Sequence, residues 1–287
     1  MADRGFIVIT PDFNGKYAPN INERQLVNEE GGNPGYGSVD DLHDEHTWAY
    51  FSVLSAMRAI DVLQSIDIVD TKNIFSCGLS WGGFLQLLLS SVDSRICASS
   101  IIYSSAYVMD SQWGEEKVLF KLSEEDKKIW KEYIDPHNYL QNIAHPVFFT
   151  AGADDHAFKM ENRRRTAEAI VAPVYYGLRK NFPHGNFYGF EQEESAEFFK
   201  SFIKGNFIPQ PQVVLTNGYI QAVAGKEGST LALCYTNEDV AAADMQAWEE
   251  LPLTSGEEIT LPTDCTALFV TEKTIEGLQY SSRMIKL

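Results

Sequence analysis

At 287 residues, with 44% hydrophobic and 12% aromatic content, the chain is long enough to bury a sizeable core and reads as a globular protein with one large and one small domain. Its formal net charge of −17 argues against partners that present phosphate, nucleic acid and anionic membrane alike, and favours neutral substrates. No apolar run approaches membrane-spanning length, no signal peptide is visible, and Cys77, Cys97, Cys234 and Cys265 lack the C-x-x-C spacing of a zinc site or redox pair.

Gly5-Phe6-Ile7-Val8-Ile9-Thr10-Pro11-Asp12 reads as a buried strand ended by a turn. From Phe13 to about Asp44 follows an Asn- and Gly-rich stretch without the Gly-Lys-Ser/Thr ending of a phosphate-binding loop, which reads as a surface excursion. Between His46 and Ile66, Phe51, Leu54, Ala59, Val62 and Leu63 keep helical spacing, so a helix packed on a sheet is expected. Next, between Asn73 and Leu89, a short apolar run meets Gly78-Leu79-Ser80-Trp81-Gly82 and a helix-forming apolar run follows. That is a strand, a sharp turn and a helix with Ser80 at the apex, the glycines on either side relieving the crowding of strand against helix. Such an elbow exposes the serine Oγ and aims the Trp81 N–H, at the helix start, at an oxygen turning negative. A Gly-Ser turn in an ordinary loop is the alternative; the strand before and the helix after favour a nucleophile.

A second apolar strand spans Ala98 to Tyr103. From Ala106 to Tyr139 the aromatics Trp113, Phe120, Trp130 and Tyr133 alternate with charge clusters, and Ser123 is suited to cap a short helix. A lid or pocket wall and a solvated helical hairpin fit this segment equally. The sheet resumes at Pro146 to Gly152, followed by Ala153-Asp154-Asp155-His156, a polar helix from Glu161 to Ile170, a strand from Val174 to Leu178, the loop Asn181-Phe182-Pro183-His184-Gly185, and an amphipathic helix from Glu191 to Ile203. Strands alternating with helices predict an α/β fold, a mostly parallel sheet covered on both faces. After residue 205 the pattern switches to short β runs at Val213, Tyr219, Thr230, Glu258 and Ala267, so residues 1–205 form the expected catalytic domain and 206–287 a small all-β, sandwich-like accessory domain. Cys77 reads as a small core hydrophobe; Cys234 and Cys265 would pair only under oxidising conditions, and two free thiols is the simpler reading.

A serine hydroxyl is too weak an acid to attack an ester unaided, so it needs a base within reach and an anion to orient that base. Two loops after Ser80 supply candidates. One carries Asp154 and Asp155, and the other carries His184, the only one of six histidines beyond the acidic loop in a Pro-His-Gly turn. A surface turn histidine is the alternative for His184, and spacing alone allows either aspartate.

Gly78-Leu79-Ser80-Trp81-Gly82-Gly83, Gly152-Ala153-Asp154-Asp155 and Phe182-Pro183-His184-Gly185 resemble the acetyl xylan esterase, cephalosporin C deacetylase and dienelactone hydrolase-like group of alpha/beta-hydrolases, over residues 3 to 205. The resemblance implies an alpha/beta-hydrolase fold with catalytic Ser80, Asp155 and His184, because the acid of that group ends a G-x-x-D pattern. It also implies Trp81 N–H in the oxyanion hole, a carbohydrate ester or other small-molecule substrate, no cofactor or metal, and a periplasmic or secreted setting. The C-terminal segment around Leu231 to Asn237 and Trp248 resembles, more distantly, the β-domain of some bacterial members. The resemblance puts Phe6 to Thr10 on the group's fourth strand and Asp12-Phe13-Asn14-Gly15 on the loop after it, so three strands and the loop bearing a second oxyanion N–H are expected to be missing. Either Phe6 to Thr10 then pairs with the elbow strand, or that strand has a free edge. Losing one oxyanion donor typically costs about 100-fold to 1000-fold in turnover, so weak activity or none is expected. Three functions compete: a serine esterase removing acetyl groups from carbohydrate-like alcohols, a prolyl oligopeptidase-type peptidase, and a non-catalytic remnant whose β-module binds polysaccharide or a partner. Trp81 and Trp113 are candidates for stacking on sugar rings, with core packing the stronger expectation.

Overall fold

Four parallel strands set the frame, hydrogen-bonded in the spatial order β1 (Phe75–Leu79), β2 (Ala98–Ile102), β3 (Val147–Gly152) and β4 (Val174–Arg179). The computed structural model describes residues 1–11, 48–111, 114, 116, 122–206, 208–242 and 246–287. Helix α1 (Trp48–Gln64) precedes β1. Helices α2 (Trp81–Val92), α3 (Glu124–Ile129) and α4 (Met160–Ala169) lie in the successive crossovers, and α5 (Asn186–Glu191) and α6 (Glu194–Lys204) follow β4. Strands β2 and β3 are buried at every residue, the pattern of strands covered on both faces. Because all four strands run the same way, the segments after Leu79, Ile102, Gly152 and Arg179 gather at one sheet edge, where open α/β sheets place their sites.

The expected strand at Phe6 to Thr10 does not form. The chain leaves a short 3-10 turn, Ala2–Arg4, through Gly5 at φ 94°, and Arg4 pairs with Glu193 at 2.5 Å. The Phe6 ring packs edge-on against Phe75 and Phe199 at 6.2 and 6.1 Å, while Ile7, Val8 and Ile9 are 50%, 50% and 38% exposed. One ring and one ion pair hold this segment over α6, away from the ladder, and an apolar run without a ladder partner does not become a strand. Among the described residues no strand pairs with the outer edge of β1. The Asp12 to Gly15 loop, the stretch to Asp44, Trp113 and Phe120 lie outside the described residues.

The buried face of α1 consists of Trp48, Ala49, Ser52, Ala56, Ala59 and Ile60, while Val62 is half exposed. Four of these six are small, so the helix packs closely, with Trp48 and Ile60 as its large buried residues. In the segment after β2, the Ser123 Oγ accepts the Asp126 N–H at 3.1 Å and caps α3 as expected. Trp130 is fully buried and stacks on Phe84 of α2 at 5.7 Å, and Ile134, Leu140 and Ile143 are buried too. Where it is described, the segment is anchored in the core through Trp130 and Ile134, while α3 has no buried residue and Tyr133 is exposed.

Beyond α6 the chain forms β5 (Gln212–Thr216), β6 (Tyr219–Val223), β7 (Thr230–Thr236), β8 (Glu249–Leu253), β9 (Glu258–Thr260), β10 (Ala267–Lys273), β11 (Gln279–Ser281) and β12 (Ile285–Lys286). Strand β11 joins β4 antiparallel at Ser281 and Tyr176, so the main sheet continues through β11, β10, β7 and β8, with β12 on β10. A second sheet, β5-β6-β9, packs on it through Ile220, Ala222, Leu233, Leu268 and Val270, which makes the expected sandwich. All four cysteines are free thiols. No helix among the described residues is long and apolar enough to cross a membrane.

Beneath the parallel sheet, Ser99 Oγ sits 2.8 Å from Ser76 Oγ, 2.7 Å from Ser90 Oγ and 2.7 Å from His145 Nε2. Burial pulls the His145 pKa down to about 4 from 6.5, so the folded protein holds it neutral while the unfolded chain protonates it first. This contribution is complete above about pH 6.5 and is lost as pH falls toward 4, amounting to about 3 kcal/mol at most. Urea melts at pH 7 and 4.5 should show a smaller loss of midpoint on acidification in His145→Gln than in the wild type; equal losses would exclude His145 as the source.

Candidate active site

Ser80 joins β1 to α2 at φ 53° and ψ −121°, a conformation L-residues rarely adopt. The Ser80 N–H donates to the Ile102 carbonyl at 2.9 Å, and the Ser80 carbonyl accepts the first helical bond from Phe84 N–H at 3.0 Å. These bonds, with β1 paired to β2, fix the turn. The close approach that allows it falls at Gly78 and Gly83. A Cβ on Gly78 would collide with the Gly82 carbonyl, and one on Gly83 would lie 2.6 Å from Ser104 Cβ. Gly82 itself faces open space, which corrects the expectation that the second crowded position is two residues after the serine.

His184 reaches Ser80 from the loop after β4, with Nε2 2.8 Å from the serine Oγ and Nδ1 3.0 Å from Asp155 Oδ1. Asp155 rather than Asp154 therefore contacts the imidazole. Its side chain is wholly buried, and Oδ1 also accepts the Ala157 and Phe158 N–H groups at 2.8 and 3.2 Å. Oδ2 binds the Arg163 guanidinium of α4. Burial is the strongest influence on this carboxyl and opposes ionisation, but the Arg163 charge, His184 and the Ala157 N–H together outweigh it and hold the pKa below the usual carboxylate range. Asp154 has a different partner: its Oδ1 accepts the Phe182 N–H at 3.1 Å and fastens the histidine loop to the acid loop.

Tyr103 and Arg163 are the site residues that the sequence reading missed. Tyr103, at φ 32° just beyond β2, sets its ring 4.6 Å from His184 and donates its hydroxyl to the Gly185 carbonyl. Burial pushes its phenol up to about 12, so it stays a donor. In sequence it looks like the last apolar residue of a strand. Arg163 hides in the Arg163-Arg164-Arg165 run of a helix read as polar; the signal is that Met160, Arg163 and Ala167 share one helical face, and that face is buried. The Phe158 ring lies parallel to His184 at 6.1 Å, and the exposed His156 meets it edge-on at 5.7 Å. The partly buried Trp81 side chain packs edge-on among Trp48, Phe84 and Phe158, while its N–H opens α2 directly after Ser80.

This elbow, histidine loop and acid loop belong to the part of the chain, residues 1–196, that matches the dienelactone hydrolase family model. The chain belongs to the dienelactone hydrolase family. Its fold is accordingly that of the alpha/beta-hydrolases, without the outer strands that would flank β1 among the described residues. The chain is 27% identical over 146 residues to the acetyl esterase Axe7A of Xylanibacter ruminicola, a match covering 48% of this chain and 32% of that protein. It therefore spans about a third of the curated relative. Among solved structures, the acetyl xylan esterase of Paenibacillus sp. R4 is similar at a TM-score of 0.49 and 18% identity, covering 62% of this chain and 59% of the other. An acetyl xylan esterase from a Thermoanaerobacterium strain is similar at 0.46 and 15%, covering 66% and 60%.

The glycine geometry separates two substitutions that the motif alone would treat alike. Gly83→Ala should lower stability by about 1–3 kcal/mol through overpacking against Ser104, whereas Gly82→Ala should leave it unchanged or raise it by up to about 1 kcal/mol, alanine being the better helix former. Thermal melts of the two variants check this, and a reversed order would contradict the packing described for the elbow.

Proposed function

We propose that this chain is a serine carboxylic ester hydrolase that removes short acyl groups, acetyl foremost, from carbohydrate-like alcohols through an acyl-enzyme. The observation that carries the reading is the hydrogen-bond chain from Ser80 Oγ through His184 to Asp155. In the proposed first step Ser80 Oγ attacks the ester carbonyl carbon while His184 Nε2 takes its proton. Asp155 holds the Nδ1–H and stabilises the imidazolium as it forms. The carbonyl oxygen, now carrying the negative charge, is received by the Trp81 N–H at the positive end of α2. Collapse of the tetrahedral adduct expels the alcohol with the proton from His184, leaving the acyl group on Ser80. Water, deprotonated by His184, then releases the acid and restores the serine.

The acetyl preference is supported by the acetyl esterase among the relatives, and the choice of an ester over a peptide by membership of the dienelactone hydrolase family. The fixed elbow and the buried, ionised Asp155 support Ser80 as nucleophile, because both hold reacting groups in register before substrate arrives. Acetylated xylo-oligosaccharides should be hydrolysed in preference to prolyl anilides, and Ser80→Ala and His184→Ala should each reduce kcat by at least about 1000-fold. Faster cleavage of the anilide would point to a peptidase, and full turnover in Ser80→Ala would sink the serine mechanism.

A further inference from the structure

Arg163 is a buried charge that the proposed mechanism leaves without a task. Its residue is 3% exposed, and its guanidinium binds Asp155 Oδ2 and donates to the Gly152 carbonyl at 3.1 Å. The two arginines that follow it on α4 turn outward, Arg164 to Glu161 and Glu168, and Arg165 to Asp110. One arginine of three is thus directed at the acid of the site. The carboxylate is divided between two claims: Oδ1 receives the His184 Nδ1 and two backbone N–H groups, and Oδ2 receives the guanidinium.

We propose that Arg163 is a positioning residue for His184: it locks the Asp155 carboxylate so that Oδ1 faces Nδ1, and its positive charge offsets part of the negative charge Asp155 presents to the imidazole. The inference rests on the Ser-His-Asp reading given above. A protonated His184 has both Asp155 and, one carboxylate away, a fixed cation as neighbours. Removing the cation changes the electrostatic surroundings of the imidazole as well as the orientation of the carboxylate that holds it. The other groups around the pair come from two elements. Asp154 on the acid loop is engaged with Phe182 N–H, His156 on the same loop lies edge-on to His184, and Tyr103 beyond β2 donates its hydroxyl to Gly185. Of these, Asp154 and Asp155 act on Arg163 as counter-charges, and Arg163 is the cation that acts directly on Asp155.

The test is the pH dependence of kcat/KM for p-nitrophenyl acetate in the wild type, Arg163→Gln and Arg163→Lys, with thermal melting to verify folding. Glutamine keeps a donor without the charge; lysine keeps the charge without the planar fork. The acid limb should move up by about one pH unit in Arg163→Gln and stay in place in Arg163→Lys, whose kcat falls because the carboxylate is less firmly oriented. Should Arg163→Gln not fold, Arg163→Met, of similar length and uncharged, takes its place with the same expected shift. An unmoved acid limb in a folded neutral variant, or an equal shift in Arg163→Lys, overturns this inference alone. A folded wild type whose Ser80 is not labelled by a serine-reactive fluorophosphonate overturns the Ser-His-Asp reading, and this inference with it.

Discussion

An ionised carboxylate removed from water loses several kcal/mol of solvation unless a counter-charge and fixed dipoles replace the solvent, and the wholly buried Asp155 is where this chain meets that requirement. Two backbone N–H groups, a guanidinium and an imidazole converge on its two oxygens. The donors come from three stretches of chain, so satisfying one carboxylate ties together the loop after β3, helix α4 and the loop after β4. The position of His184 depends on this arrangement, and so does the 2.8 Å contact that brings Nε2 to Ser80. Asp154, one residue earlier, reinforces it through the Phe182 N–H.

The Ser80 side of the site is built differently. The elbow strand is paired with β2 alone among the described strands, so its rigidity comes from the Ile102 carbonyl and the packing of α2, whose Phe84 stacks on the fully buried Trp130. The unusual backbone angles of Ser80 persist because these contacts over-determine them. At the far end of the sheet, β11 zips onto β4, and Glu194 of α6 pairs with Arg179 at 2.7 Å while accepting the Gln279 N–H at 2.7 Å. The β-sandwich is thereby anchored to the strand that delivers the histidine loop, so the boundary expected near residue 205 divides the chain by composition while one sheet runs across it.

Much of the parallel core was legible because its signals are local. Gly78 to Gly82 names a turn, the apolar runs at Ala98 and Pro146 name buried strands, and the order of the serine, acid and histidine loops follows from strand direction. What stayed hidden depends on partners distant in sequence. Phe6 to Thr10 has a strand's composition but joins no ladder, its Phe6 ring being held by Phe75 and Phe199, and Ile7 to Ile9 are left exposed. Strand β8, Glu249–Leu253, carries acids and a proline that an edge strand tolerates and a sequence scan rejects. Arg163 was masked by its two neighbours of the same type, and Tyr103 by ending an apolar strand. The choice of Asp155 over Asp154, one residue apart in a loop, is beyond strand and helix periodicity; the G-x-x-D pattern of the resemblance named Asp155, and Asp155 is the one in contact with His184.

The central claim is that Ser80 is activated by His184, held in place by Asp155. The most direct measurement is labelling by a serine-reactive fluorophosphonate, followed by mass spectrometry of the peptide that contains residue 80. The account predicts label on Ser80 in the folded wild type and a rate of labelling reduced by at least about 100-fold in His184→Ala, since general-base assistance contributes on that order. Label on a different residue, or an undiminished rate without His184, would contradict it.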